Sequence, residues 1–392
     1  MFELNGKYNT CKVFTDNVDN EAISQLVALL NQSFVKDSKI RIMPDAHAGN
    51  GCVIGTTMTI TKKICPNLVG VDIGCGILAV QIKETDVDFK KLDEIIHQYI
   101  PSGFNVRNRI VASSNATQII APVNVSLAMR SLGTLGGGNH FIECDKDDNG
   151  NVWLVVHTGS RHLGIEVCKY YQNLAWENLH KRSDIIAETI AKLKSEGRQK
   201  EIENAIKNIK SKNIAIPKDL AYVQGEDFDN YIHDMKITQE HAKINRETIV
   251  EIICSYMGWH IKDRVHSIHN YVDTDNMILR KGSVSAQAGE RIIIPMNMRD
   301  GSLICVGKGN PDWNFSAPHG AGRLMSRGRA KENISLEEYQ NSMNGIYTTC
   351  VNNSTIDESP MVYKSMNEIV CSTTDSVEIV SIIKPIYNFK SN

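Results

Sequence analysis

VWLVVHTGSR, residues 152–161, runs apolar without alternation as far as Val156 and then stops at a histidine, a threonine and a glycine. A strand that is apolar at every position has both faces covered. The run therefore predicts a strand in the middle of a layered core, with His157 delivered at its C-terminal end. Immediately downstream the period changes. From Ile165 to about His260 the pattern is mainly helical, with Ile186, Ile190 and Leu193, then Ile202, Ile206 and Ile209, at helical spacing. Within it, 183–226 alternates Lys and Glu and is broken by Pro217 and Gly225, which reads as a peripheral helical arm with a solvated face.

Upstream, 19–35 carries Ile23, Leu26, Leu29 and Leu30 at helical spacing. Lys39–Met43 is a short strand that enters a glycine-rich turn at 44–49, and the β-branched segment Val53–Ile60 is a strand. The apolar run LVGVDIGCG, 68–76, ends in glycines before a strand over Ile77–Ile82. Residues 86–100 read as helix, 101–125 as irregular, and 126–134 as a helix meeting a turn. Towards the C-terminus, Arg291–Pro295 and Leu303–Val306 are strands around a turn at Arg299–Gly301, and Glu378–Ile383 is a last strand before Lys384-Pro385. No repeat, low-complexity segment or linker divides this mixture. It predicts an α+β fold as a single large domain over 1–392, with central β-sheets surrounded by helices.

The 392 residues, 42% hydrophobic and 22% charged, suffice for a large core without disulfides. A net charge of −2 provides no global basic field for duplex nucleic acid, which leaves only a local groove for such a partner. Ten scattered cysteines without a CxxC pair read as reduced thiols. With no apolar leader in MFELNGKYNTCKVF and no membrane-length apolar run, the expected location is cytoplasmic, with no membrane partner.

Chemistry-bearing side chains sit beside glycine turns at strand ends. DIGCG places Asp72 and Cys75 on one tight turn, and GGGNHFIE delivers Asn139, His140 and Glu143 after three glycines. His157 and Arg161 follow the buried run, and HSIHN adds His266 and His269. Asp72, Cys75, His140, His157 and His269, with His319 besides, form a candidate set. Carboxylate, thiolate and imidazole together suit Zn²⁺, Mn²⁺, Fe²⁺ or Co²⁺. His97, His162, His180, His233, His241 and His260 lack glycine turns and read as structural. Walker A, strand-following GxGxxG, HExxH, GxSxG and KxDG patterns are all absent from the sequence.

These segments resemble the RtcB family of RNA ligases. The resemblance is carried by MPDAHAGNG (43–51), GVDIGCG (70–76), GTLGGGNHFIE (133–143), HTGSRHLG (157–164) and HNYV (269–272). It continues through PMNMRDGS (295–302), GKGNP (307–311), HGAGR (319–323) and MVYK (361–364), covering nearly the whole chain in the family's order. It implies ligation of RNA 2′,3′-cyclic phosphate or 3′-phosphate ends to 5′-hydroxyl ends, with GTP and two Mn²⁺ ions. Cys75 would bridge the ions, Asp72 and His140 holding one, and His157 and His269 the other. His319 would carry GMP covalently.

GTP contacts implied by the resemblance fall on Asn139, His140, Phe141, Ile142 and Glu143, with Glu143 at the guanine edge. They continue on His269, Asn270, Pro295, Met296, Asn297, Met298 and Ser302, then on His319, Gly320, Ala321 and Gly322, with Lys390 as the near-terminal base contact. Arg161 and Arg323 would meet RNA or nucleotide phosphates. Asp45 and His47 are expected either to orient the site or to form an Asx-type turn. The chain departs from the family at PDAHAG and SAPHGAGR, where Pro318 biases Ala317 towards an extended conformation.

Two other functions compete: a metal-dependent cyclic phosphodiesterase that opens ends without sealing them, and a non-ligating RNA-binding or GTP-sensing homologue. The resemblance also leaves room for an accessory activating protein.

Overall fold

Val152–Thr158 is the third strand of a seven-stranded sheet in the computed structural model, which describes residues 1–180, 182–211 and 216–391. Gly76–Ile82 and Phe141–Lys146 flank it, both antiparallel. Beyond Phe141–Lys146 come Val377–Lys390, Gly301–Gly307 and Arg291–Asn297, and beyond Gly76–Ile82 comes Ile261–Ile268. The two outer strands approach each other. The Ile293 amide donates to Ser267 Oγ at 2.9 Å, and Arg291 grips Asp263 through two contacts of 3.0 and 2.7 Å. The sheet is thus a nearly closed barrel.

Closure explains the missing alternation. Ile77, Ala79, Trp153, Val155 and Ile293 fill the interior. Leu78, Val80, Leu154 and Val156 face outwards, but they are covered by Ile249, Val250 and Ile253 of the helix Glu226–Met257. Each such fully buried aliphatic side chain contributes about 1.5–3 kcal/mol. The 32-residue helix starts after Gly225 and ends where Gly258 takes φ 76°. It buries Asn245 and Arg246 completely. Those two residues hold the site.

A second sheet, six-stranded, packs alongside: Phe2–Asn5, Thr10–Val13, Ile40–His47, Ile54–Thr59, Ile278–Lys281 and Asn270–Asp273. Ser283–Ser285 pairs with Ser316–Pro318, so Ala317 is extended, as Pro318 predicts. The α+β reading, with central sheets and surrounding helices, describes this architecture. Among the described residues, no helix is long and apolar enough to cross a membrane.

Three local expectations are corrected. The segment 44–49 does not begin as a turn: the strand Ile40–His47 runs on through Pro44, whose carbonyl accepts from the buried Lys364 Nζ at 2.8 Å. The last strand does not stop at Ile383. It spans Val377–Lys390, and a register shift between Pro385 and Tyr387 accommodates the proline while the strand passes from Gly301–Gly307 to Phe141–Lys146. The arm is peripheral only over Arg182–Ser195 and Ile202–Ser211. Its residues 212–215 lie outside the described residues, and Leu220, Ala221 and Val223 are buried in the core, with Val223–Gln224 paired to Lys63–Ile64.

Candidate functional site

Antiparallel pairing sets five strand ends on one rim. Gly76 pairs with both Ile268 and Thr158, and Phe141 pairs with both His157 and Lys390. Cys75 precedes Gly76, His269 follows Ile268, and His140 precedes Phe141, so residues far apart in sequence meet at this rim. Arg246 ties it to the long helix, its Nη1 donating to the carbonyls of Gly74 at 2.8 Å and Thr158 at 2.6 Å. Asn245 donates to Gly159 O at 3.1 Å. Gly159 has no substitute here, because a Cβ on it would meet the Asp72 carboxylate at 2.1 Å.

Cys75 Sγ lies 3.5 Å from His140 Nε2 and 3.4 Å from His157 Nε2. His140 Nε2 is 3.1 Å from Asp72 Oδ2, and the Nε2 atoms of His157 and His269 are 3.4 Å apart. Two donor groups result, Asp72–Cys75–His140 and Cys75–His157–His269, each with its atoms within 4.8 Å. Hydrogen bonds fix the tautomers. His140 Nδ1 donates to Leu135 O at 2.9 Å and His157 Nδ1 to Asn139 O at 3.2 Å. That leaves lone pairs on both Nε2 atoms, aimed at a thiol, a carboxylate and a third imidazole.

The Cys75 S–H can donate to only one of these lone pairs, and cations between the donor atoms would satisfy them all. Burial first, and then the neighbouring imidazoles, hold His157 and His269 well below the ordinary histidine range. Burial and Asp72 push the Cys75 thiol well up, so a thiolate there needs a cation's charge. The donor set fits two borderline divalent ions that share Cys75.

His319 stands next to this cluster, its ring centroid 4.8 Å from that of His269. The fully buried Asp45 accepts from His319 Nδ1 at 2.6 Å and from the His319 and Gly320 amides at 3.0 and 3.2 Å. Asp45 is therefore not in an Asx-type turn; its side chain bonds a loop some 270 residues further along the chain. Gly322 makes this approach feasible: at φ 78°, a Cβ there would meet Asp45 O at 2.3 Å. The Nδ1 hydrogen bond makes Nε2 the lone-pair nitrogen, and Nε2 has no hydrogen-bond partner among the described residues.

A cavity of about 400 Å³ opens beside His319. Asn139, Phe141, Glu143 and Lys390 form one wall, Pro295 to Met298 another, and His319 to Arg323 a third. Burial pushes Glu143 up to about 8 against the charge of Lys390 and the hydrogen bond donated by Asn388 at 2.6 Å. Ile142 does not line this space. Strand alternation sends its side chain into the opposite core. Ser302 is fully buried, and Asn270 instead braces the cluster by donating to Asp72 O at 3.2 Å. His47, expected from sequence to orient the site, lines the cavity, and so do Arg327, Glu358 and Tyr363, which sequence did not single out. Of these last three, Tyr363 alone belongs to a motif of the resemblance, MVYK. Asp357-Glu358 has no flanking glycine to mark it.

The family model described as "tRNA-splicing ligase RtcB" matches residues 25–130 and 121–391. The chain belongs to the RtcB family. It is 30% identical to "RNA-splicing ligase RtcB1" of Escherichia coli and 29% identical to "RNA-splicing ligase RtcB" of Escherichia coli K12, covering 94% of this chain and of each relative. It is 25% identical to "tRNA-splicing ligase RtcB" of Aeropyrum pernix, over 88% of this chain and 86% of that one.

In this RtcB-family chain the two arginines expected at phosphates already have protein partners. Arg161 donates to Thr134 Oγ1 at 3.1 Å and to Gly103 O at 2.6 Å. Arg323 lines the cavity but bonds Glu358 at 3.2 Å and Asp357 O at 2.7 Å. Glu358 is the hub of that wall, also meeting Arg327 at 2.8 Å, Lys390 at 3.1 Å and the Tyr363 hydroxyl at 2.6 Å.

Proposed function

We propose that this chain is a GTP-dependent RNA ligase that joins 2′,3′-cyclic phosphate or 3′-phosphate ends to 5′-hydroxyl ends through a histidine–GMP intermediate. The observation that carries this reading is the imidazole of His319, oriented by Asp45, between a nucleotide-sized cavity and a double donor cluster. His319 Nε2 attacks the α-phosphorus of GTP and pyrophosphate leaves, forming a phosphoramidate. Water opens a cyclic end to a 3′-phosphate. An oxygen of that phosphate takes GMP from His319, which regains its neutral ring, and the end becomes RNA–pp–G. The 5′-hydroxyl then attacks the RNA phosphorus and expels GMP. Asp45 holds the Nδ1 proton throughout.

Asp72, Cys75 and His140 would hold one Mn²⁺, and Cys75, His157 and His269 the other. Bound there, the ions supply charge neutralisation at phosphate oxygens. In the cavity, Glu143 accepts from the guanine edge, Phe141 and Pro295 flank the base, and Lys390 sits beside it. Substrates in tRNA splicing or in RNA repair fit the same chemistry. The phosphodiesterase reading leaves the Asp45–His319 pair without a task.

The test is incubation with α-labelled GTP and Mn²⁺, followed by RNA with 2′,3′-cyclic phosphate and 5′-hydroxyl ends. Label should attach to the protein, be absent from His319→Ala, and leave as GMP on sealing. Sealing without GTP, or equal labelling of His319→Ala, overturns the mechanism.

A further inference from the structure

Phe104 is 94% exposed, more than any other large apolar residue described. Its loop is nonetheless firmly held. The Gly103 amide donates to Gly136 O at 2.9 Å, and Gly103 O accepts from Arg161 at 2.6 Å. Arg107 bonds the carbonyls of Tyr99, Leu132 and Gly133 at 2.7, 3.1 and 2.7 Å. Gly136 adjoins Leu135, whose carbonyl fixes the His140 tautomer. Phe104 therefore projects from a fixed loop built against the turn that carries a cluster donor.

Charge singles out the same segment. From Pro101 to Ile142 there is no Asp or Glu, although the chain holds 45 acids, whereas Arg107, Arg109 and Arg130 fall within it. Arg109 is exposed, as are Ile110 and Val111 beside it. A rigid, uncovered aromatic ring near the exposed Arg109, on a segment with no acid of its own, suits an unpaired base whose backbone phosphates lie over arginine. A protein partner would favour a continuous apolar patch, and these residues are interrupted by polar ones.

We infer that Phe104 is the stacking platform for an unpaired base at an RNA end brought to the site, a role that rests on the RNA-ligase reading above. Phe104 would be a positioning residue, setting where the strand lies without touching the reacting atoms.

The experiment is steady-state sealing by the full chain, with Phe104→Ala and Phe104→Trp, using RNA ends that carry a normal or an abasic nucleotide near the junction. Stacking on an aromatic ring is lost at a cost that corresponds to about a tenfold rise in KM or more, with kcat changing less. Phe104→Trp should restore KM. An abasic nucleotide at the stacked position should raise the wild-type KM similarly and abolish the difference between wild type and Phe104→Ala. Unchanged KM for Phe104→Ala, a penalty that no abasic position relieves, or slowed GMP attachment before RNA is added would each overturn the proposal. So would normal RNA kinetics in Phe104→Ala accompanied by loss of a protein partner. A wild-type chain that seals nothing brings down the ligase reading instead. Fluorescence anisotropy with labelled single-stranded RNA then still decides the stacking, because equal affinity of wild type and Phe104→Ala overturns it.

Discussion

Asp45 Oδ2 accepts from His319 Nδ1 at 2.6 Å while also receiving the backbone amides of His319 and Gly320. One carboxylate oxygen therefore fixes the ring, its tautomer and the loop that bears it. The neighbouring strand adds stiffness, since Ser316–Pro318 is paired and Ala317 is fully buried.

Asp45→Ala should slow GMP attachment to His319 by about a hundredfold, the scale on which small misplacements of a reacting atom act. Asp45 belongs to neither donor group, so bound metal should stay at the wild-type level. Single-turnover labelling with α-labelled GTP, alongside metal analysis, separates the two effects. An unchanged labelling rate would mean that Asp45 does not orient the nucleophile.

Cys75 belongs to both donor groups, whereas Asp72 and His269 belong to one each. After dialysis against Mn²⁺, Cys75→Ala should lose most of both equivalents, and His269→Ala or Asp72→Ala about one. Saturating Mn²⁺ should also raise the wild-type Tm, since a ligand at about a hundred times its Kd stabilises by about 2.7 kcal/mol. Atomic emission and thermal melts read both quantities. Two retained equivalents in Cys75→Ala would refute the shared thiolate.

Sequence exposed four of the five donors because Asp72, Cys75, His140 and His157 each lie within two residues of a glycine, and Gly159 against Asp72 shows why the local geometry requires one; His269 has no such neighbour. The apolar run at Val152–Val156 likewise marked the strand around which the barrel is built. What could not be read were features made by pairing over long distances. Sequence alone leaves Asp45 between an orienting role and an Asx-type turn, because its partner lies 274 residues away in HGAGR. Glu358 lacks any local signal, being defined only by the cations that converge on it. The last strand seemed to end at Lys384-Pro385 because nothing local announces a bulge that carries it into another pairing.

Glu358 is buried among Arg323, Arg327 and Lys390. Burial opposes its charge, but Lys390 and the two arginines outweigh burial and hold it at about 2. A depressed folded value gives stability that is present above the ordinary carboxyl range and lost as pH falls towards 2. Glu358→Gln leaves Lys390 and Arg323 without their carboxylate, while Arg327 keeps Asp357. It should destabilise the fold by about 3–5 kcal/mol at neutral pH, as removing one partner of a buried pair does. Denaturant melts measure this, and the deficit should shrink in acid. A variant as stable as wild type at pH 7 would show that solvent screens the hub.

Glu143 has the opposite sign. Burial raises it from 4.5 to about 8, so between those values the folded chain keeps a proton that the unfolded chain has lost. The associated stability is complete below 4.5 and falls as pH rises to about 8. A guanine edge offers N–H donors to the carboxylate, so GTP binding favours the ionised form and releases a proton at pH 7. Affinity for GTP should then strengthen as pH rises from 6 to about 8, at most tenfold per pH unit and less as pH nears 8. Glu143→Gln should bind GTP more weakly, lose this slope and flatten the pH dependence of Tm over the same range. Calorimetry in buffers of different ionisation enthalpy counts the proton directly. Binding at pH 7 without proton release would place the guanine elsewhere than on Glu143.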